Sequence, residues 1–351
     1  MFHPKYKLTN SIVKALTAIA EAKAVIERAK ILPQNELKLR RQALIRMTHS
    51  STAIEGNQLN ANEVEALVLH KKIDAPQRDI YEVQNYLNAL KYIEKVVQKN
   101  EHINEKVFLH IHKLVTAQTL PLAQSGHYRK GPVYIVRRRA GFPNEVVYTG
   151  PAAIKVSFLC KDLLRWMENN RKEEINPVVA AGIVHQEIAA IHPFADGNGR
   201  TARAFATLLL YSQGYDFRRL FALEDYYNRD RQAYYRAINI GKTYEKRRVD
   251  FTPWLEYFVQ GFTEEIGQVK AKVLSLSNKI APKDIRSQIY LPKEQMEILD
   301  FLESTGRITV QDVVDILKCP KRTAQLSLQK LKKLGFIKQI GKGPSSAYIA
   351  K

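Results

Sequence analysis

His192-Pro193-Phe194-Ala195-Asp196-Gly197-Asn198-Gly199-Arg200-Thr201-Ala202-Arg203 is the stretch on which the reading of this chain turns. It holds a histidine, a carboxylate, an amide, two glycines and two arginines within one short segment. The residues before it, 177–191, are apolar nearly all round, which predicts a buried helix. Pro193 cannot continue that helix, so His192 is placed at or near its end. Gly197-Asn198-Gly199 permits backbone conformations closed to other residues and exposes backbone N–H groups. Such groups at a helix start form an anion nest. The next helix is expected to begin at Gly199 or Arg200 and to run through Tyr211. Arg200 and Arg203 then lie one turn apart and face the same side. A helix N-terminus does not favour arginine, so a bound anion or an internal carboxylate is expected to compensate. Taken singly, the histidine reads as a cap, the Asn-Gly as a turn and the arginines as a solvated face. Supplied together, they describe a site for a polyphosphate nucleotide.

With every fixed position of H-x-F-x-[D/E]-G-N-G-R-x-x-R present, the segment resembles the signature of the Fic family. The resemblance implies transfer of the AMP moiety of ATP to a protein Thr, Ser or Tyr hydroxyl, with loss of pyrophosphate. It implies that His192 is the general base and that Asp196 holds Mg²⁺ between the phosphates. Asn198 and the N–H groups around Gly197 and Gly199 would cradle the phosphates. Arg200 would serve the β-phosphate region and Arg203 the γ-phosphate, while Phe194 anchors the loop in the core.

Upstream, Ser51-Thr52-Ala53-Ile54-Glu55-Gly56-Asn57 reads as the end of a helix running from about Asn35, after an interruption at Pro33. A glutamate in a last turn opposes the helix dipole and wants a cation. Ser51-x-x-x-Glu55-Gly56 resembles the inhibitory motif [S/T]-x-x-x-E-[G/N] that precedes the Fic core in many members. That resemblance implies that Glu55 pairs with Arg203, removes the γ-phosphate partner and so restrains the enzyme.

A further helix precedes both motifs, at 8–30, and others lie between them, within 60–100 and at 104–116. The pattern then changes. Residues 126–136 are β-branched and aromatic, 140–144 are turn-like and 145–150 are β-like again, which predicts a hairpin. In the family such a flap holds the target segment by strand addition, and Val133, Tyr134 and Ile135 are the residues expected to set register. After the signature, residues 224–235 are dense in tyrosine. Tyr226, Tyr227 and Tyr234 are the candidates for an adenine pocket, with a place in the core as the alternative.

Residues 251–274 read as an amphipathic helix and 275–290 as a linker. The remainder, 291–351, reads as three helices, the second capped by Thr309 with Asp312, followed by two strands. That order looks like a winged helix-turn-helix. Lys321, Arg322, Thr323 and Gln325 sit where a recognition helix would meet a DNA groove, with Lys342 on the wing. The same fold also serves protein contacts. The expected fold is therefore mostly α: a Fic-type helical bundle with a β-hairpin flap and a small C-terminal winged helix domain. The parts are an N-terminal helical region (1–103), a catalytic core (104–274), the linker and the C-terminal unit.

Composition sets the outer bounds. Of 351 residues, 45% are hydrophobic and 26% charged, as in soluble globular proteins. The net charge of +20 fits contact with nucleotides, nucleic acid or acidic proteins. The two cysteines, Cys160 and Cys319, make neither a disulfide framework nor a zinc spacing. No P-loop and no His-Glu-x-x-His motif occurs, so His110, His112 and His185 read as structural. Neither a signal region nor a long apolar run appears, and a cytoplasmic location is expected. The expected partners are a protein substrate, the enzyme itself as substrate, a second copy in a homodimer, and DNA through the C-terminal unit. Two other functions stay open: a nucleotide-sensing transcription regulator, and removal of AMP from a modified protein with Glu55 positioning a water.

Overall fold

The computed structural model describes residues 2–137, 145–173, 175–239, 241–278, 291–341 and 346–350. In chain order the described elements begin with α1 (Asn10–Arg28), α2 (Pro33–Ile54), α3 (Ala61–Val68), α4 (Gln77–Gln98) and α5 (Glu105–Val115). The hairpin strands β1 (Tyr134–Arg137) and β2 (Glu145–Thr149) follow. Next come α6 (Ala153–Glu173), α7 (Pro177–Ile191), α8 (Asn198–Ser212), α9 (Leu223–Arg229), α10 (Arg231–Ile238) and α11 (Thr252–Asn278). The last elements are α12 (Lys293–Thr305), α13 (Val310–Leu317), α14 (Lys321–Lys333), β3 (Ile337–Ile340) and β4 (Ala347–Ala350). The structure is mostly α, as the sequence predicts.

The chain divides into two compact units, residues 1–28 with 42–271, and residues 29–41 with 272–351. In the first, α7 is the central helix, packed on α6 and α8, while α4 and α5 also pack on α8. Its largely apolar sequence is explained by burial on nearly every side, from Val178 to Ile191. Pro177 opens it at a position where its missing N–H costs nothing, and the Asn176 side chain accepts from Val178 N. Gly182 lets α11 approach closely: a Cβ there would lie 2.9 Å from Leu255 Cδ2, and Trp254 Nε1 donates to Gly182 O at 2.7 Å.

The second unit is built on Ile298, Leu302, Ile308, Val313, Leu328, Leu331 and Ile337, with Leu37 of α2 packed against them. Thr309 and Asp312 form the expected capping box. Strands β3 and β4 pair antiparallel, and Ile308 bridges to Tyr348. Lys321, Arg322, Thr323 and Gln325 are exposed on α14, opposite buried Ala324, Leu328 and Leu331. Lys342 lies outside the described residues.

Several local expectations need correction. The break expected at Pro33 lies at residues 29–32, and α2 starts at Pro33 itself rather than near Asn35, again because a first-turn proline loses no hydrogen bond. α2 runs on to Ile54, and Gly56 then takes a φ of +97°, a backbone conformation that favours glycine. Residues 126–133 are not a strand, because their backbone is held by turns and by Arg129; pairing starts at Tyr134. Helix α11 extends to Asn278, into the stretch read as linker. The turn-like residues 140–144 lie outside the described residues.

Candidate active site

α7 ends in His192, whose backbone turns left-handed at φ 49° and ψ 61° before Pro193. The last carbonyls of a helix have no partner inside it, and here each finds one. His192 N donates to Ile188 O at 3.0 Å, and Tyr148 Oη of β2 donates to Ala190 O at 2.6 Å. Arg129 covers the rest, Nη2 donating to Ile191 O at 3.4 Å and Nε to His192 O at 2.8 Å. Its backbone N donates to Pro193 O at 2.9 Å, Nη1 donates to Gly131 O, and Nη2 also donates to Pro151 O. A buried guanidinium at a helix C-terminus also complements the dipole. Arg129→Ala should therefore destabilise the fold by about 2–4 kcal/mol, since several buried carbonyls lose their donors together. Urea unfolding measures this; a loss within error would show that water replaces the guanidinium.

His192 Nδ1 lies 3.2 Å from Ala189 O. A carbonyl can only accept, so Nδ1 carries the proton and the neutral ring presents an unprotonated Nε2. Burial lowers the His192 pKa below its ordinary value, against the opposing pull of the Ala189 carbonyl and the Glu55 carboxylate. The neutral form therefore dominates near pH 7.

The loop from Phe194 to Gly197 is braced from within and from behind. Asn198 Oδ1 accepts from Phe194 N, and its Nδ2 donates to Phe194 O, each at 2.9 Å. The Asn198 amide is thus committed to shaping the loop. Phe194 is fully buried and stacks on His112 with ring centroids 3.6 Å apart. His112 Nδ1 accepts from Gly126 N, so its Nε2–H donates to Asp196 O at 3.0 Å. Burial pulls its pKa down to about 4, which keeps that tautomer neutral. Gly197 adopts φ +76°, and a Cβ there would lie 2.6 Å from Thr116 Cγ2. α8 starts at Asn198, so the amides of Asn198, Gly199 and Arg200 form its first turn.

Around that helix start stand the charges. Asp196 is part-exposed; its Oδ1 accepts from Gly197 N at 2.7 Å and its Oδ2 from Arg78 Nη2 at 3.3 Å. Arg200 is 2% exposed, with Nη1 3.4 Å from Glu82 Oε1 and Nη2 3.9 Å from Asp196 Oδ1. Arg203 donates from Nε to Ser51 Oγ at 2.9 Å, and from Nη2 to Ser51 O and Glu55 Oε1, both at 2.8 Å. Burial alone would lower the Arg203 pKa, but the Glu55 carboxylate, Tyr234 and Tyr86 together more than offset it and keep the guanidinium charged. Glu55 also lies against the start of α8: a Cβ on Gly199 would sit 2.1 Å from Glu55 Oε1. The internal carboxylate required by paired arginines at a helix N-terminus is thus Glu55 for one and Glu82 for the other.

The tyrosines divide. Tyr227 and Tyr234 are buried, stacked 4.6 Å apart, with Tyr234 Oη 3.1 Å from His185 Nε2. Tyr226 packs against Tyr257, with the Arg229 guanidinium over its ring. The open ring is Tyr235, 48% exposed, whose Oη donates to Ile54 O at 3.0 Å. Sequence reasoning passed over it; the signal was that a helix turns its next residue by about 100°, so an inward Tyr234 leaves Tyr235 outward. Arg78, Glu82, Arg129 and Tyr148 were missed as well, and no local pattern marks them.

In the flap, Tyr134 pairs with Thr149 and Ile135 with Tyr148, with a bulge after Ile135. Tyr134, Ile135 and Val136 are exposed. Val133 precedes the strand and accepts from Gly150 N at 3.2 Å. Among the described residues β1 has no strand on its other side.

Residues 102–210 match the model of the Fic/DOC family. Protein adenylyltransferase Fic of Drosophila mojavensis is 28% identical over 204 residues, which cover 57% of this chain and 36% of that protein. The chain thus spans about a third of the length of the curated relatives it matches. A Fic family protein from Desulfovibrio desulfuricans G20 has the same fold, with a TM-score of 0.63 at 24% identity over 100% of this chain and 98% of that one. Fic-1 of C. elegans, residues 134–508, gives 0.60 at 22% identity over 76% of this chain and 73% of that one.

Proposed function

We propose that this chain, which carries a Fic/DOC family domain at residues 102–210, is a protein adenylyltransferase held in check by Glu55. It would move AMP from ATP to a Thr, Ser or Tyr hydroxyl of a protein, itself included. The observation that carries this reading is His192, neutral and with a free Nε2, at the edge of a helix start that gathers two buried arginines. Nε2 takes the proton of the target hydroxyl, whose oxygen forms the new bond to the α-phosphorus. The bond from that phosphorus to the β-phosphate oxygen breaks and pyrophosphate leaves. The α8 N-terminus and Arg200 hold the phosphates, and Arg203 the γ-phosphate once Glu55 has moved away. The base is assigned to the tyrosine-rich 226–235 segment, with Tyr235 as the exposed ring. Strand β1 offers its free edge to the target segment.

Mg²⁺ fits these residues. Asp196 offers a part-exposed carboxylate beside the nest, and no group of three or more ligating His, Cys, Asp or Glu side chains occurs among the described residues. Mg²⁺ is commonly held by one or two carboxylates together with substrate phosphates. Bound at Asp196, it would neutralise phosphate charge.

The test is labelling. With α-labelled ATP, protein should become labelled; with γ-labelled ATP it should not. Label from the γ-position alone would mean kinase-type transfer and end this reading.

A second role is proposed for the C-terminal unit. The exposed Lys321, Arg322, Thr323 and Gln325 at the start of α14 support a winged helix that contacts DNA, or an acidic protein surface. No described helix is long and apolar enough to cross a membrane, and a cytoplasmic site of action is part of the proposal.

A further inference from the structure

Glu82 is a carboxylate of the site that neither signature motif supplies. It projects from α4, is 7% exposed, and splits its two oxygens. Oε2 accepts from Asn57 Nδ2 at 3.0 Å, two residues beyond Glu55. Oε1 lies 3.3 Å from Arg78 Nε and 3.4 Å from Arg200 Nη1. Arg78 in turn reaches Asp196. One buried carboxylate thus joins the turn after Glu55 to the phosphate arginine and, through Arg78, to the carboxylate of the nest.

The pairing with Arg200 is electrostatic but poorly directed. Arg200 Nε and Nη1 are buried and make no hydrogen bond among the described residues, although Glu82 neutralises their charge. Buried guanidinium donors left open in this way still lack an acceptor. A phosphate oxygen satisfies them and has to compete with Glu82 for the charge.

We propose that Glu82 is a second carboxylate brake, lowering affinity for the β-phosphate at Arg200 as Glu55 blocks the γ-phosphate at Arg203. This rests on the nucleotide-binding reading above. Asn57 makes the two brakes neighbours: movement of the Glu55 turn pulls on Glu82. Release of Glu55 alone then leaves the phosphate site only partly open.

The test is calorimetric titration of the full chain with ATP, ADP and AMP, comparing Glu55→Gly with Glu55→Gly/Glu82→Gln. The amide keeps the shape of Glu82 and a hydrogen-bond acceptor for Asn57. ATP and ADP should each bind about 5–10-fold more tightly in the double variant, at the low end of coupling between linked sites. AMP, which lacks a β-phosphate, should bind equally to both. A merely structural Glu82 would not sort ligands by phosphate number. Equal or weaker ATP binding with an unchanged thermal midpoint would overturn the proposal and make Glu82 a residue that orients Arg200. If no variant binds ATP, the nucleotide reading itself falls, and this one with it. An independent measurement is the structure of Glu55→Gly with ATP. Arg200 Nη1 should leave Glu82 for a phosphate oxygen; an intact 3.4 Å pair beside bound ATP would also overturn the proposal.

Discussion

His192→Ala is expected to lower AMP transfer by about 10²–10⁴-fold, the usual worth of a positioned general base, while ATP still binds. The histidine sits at the end of a helix whose carbonyls are held by Tyr148 and Arg129, so its ring is fixed before substrate arrives. Nδ1–H is committed to Ala189 O, which leaves Nε2 as the basic atom. Alanine removes that atom but no phosphate ligand, so nucleotide affinity should change little. The pH dependence follows from the depressed pKa. The base is active when unprotonated. Transfer should stay flat as pH falls through 7 and decline only below the ordinary histidine value of about 6.5. A profile whose acid limb lies above that value, or wild-type labelling by His192→Ala, would remove His192 as the base.

Glu55→Gly is expected to raise transfer at least about tenfold, within the usual range of coupling between an internal ligand and a competing substrate. Arg203 gives one of its hydrogen bonds to Glu55 and two to Ser51. Removing Glu55 therefore frees the guanidinium for a γ-phosphate, yet leaves it anchored on Ser51 and the fold intact. It also clears the space over Gly199 that the Glu55 carboxylate fills. Labelling from α-labelled ATP, followed across ATP concentrations, measures the effect. Adding His192→Ala should silence the gain. Equal labelling by wild type and Glu55→Gly would exclude Glu55 as the restraint. Release of AMP from pre-modified protein that depends on Glu55 would favour the reverse reaction.

Much of the site could be read in the sequence, because its logic is local. A proline after an apolar helix fixes where His192 must project. Gly197 and Gly56 mark left-handed turns that other residues adopt with strain. Thr309 and Asp312 announce a helix start through hydrogen bonds three residues apart. Even the charge mismatch at Glu55 and Arg203 was visible, since a helix dipole acts on its own terminal turn.

What only the tertiary structure decided is which distant groups answer those local demands. The sequence determined that Arg200 and Arg203 need anions; the packing of α2 and α4 against α8 assigned Glu55 to one and Glu82 to the other. It likewise put Arg129 and Tyr148 on the end of α7, turned Tyr227 and Tyr234 into the core and left Tyr235 outside. Helical periodicity fixes which side chains share a face, but not which element that face will meet. A buried charge or carbonyl must be matched by whatever the fold brings alongside it, for Arg203 from 152 positions away in the chain.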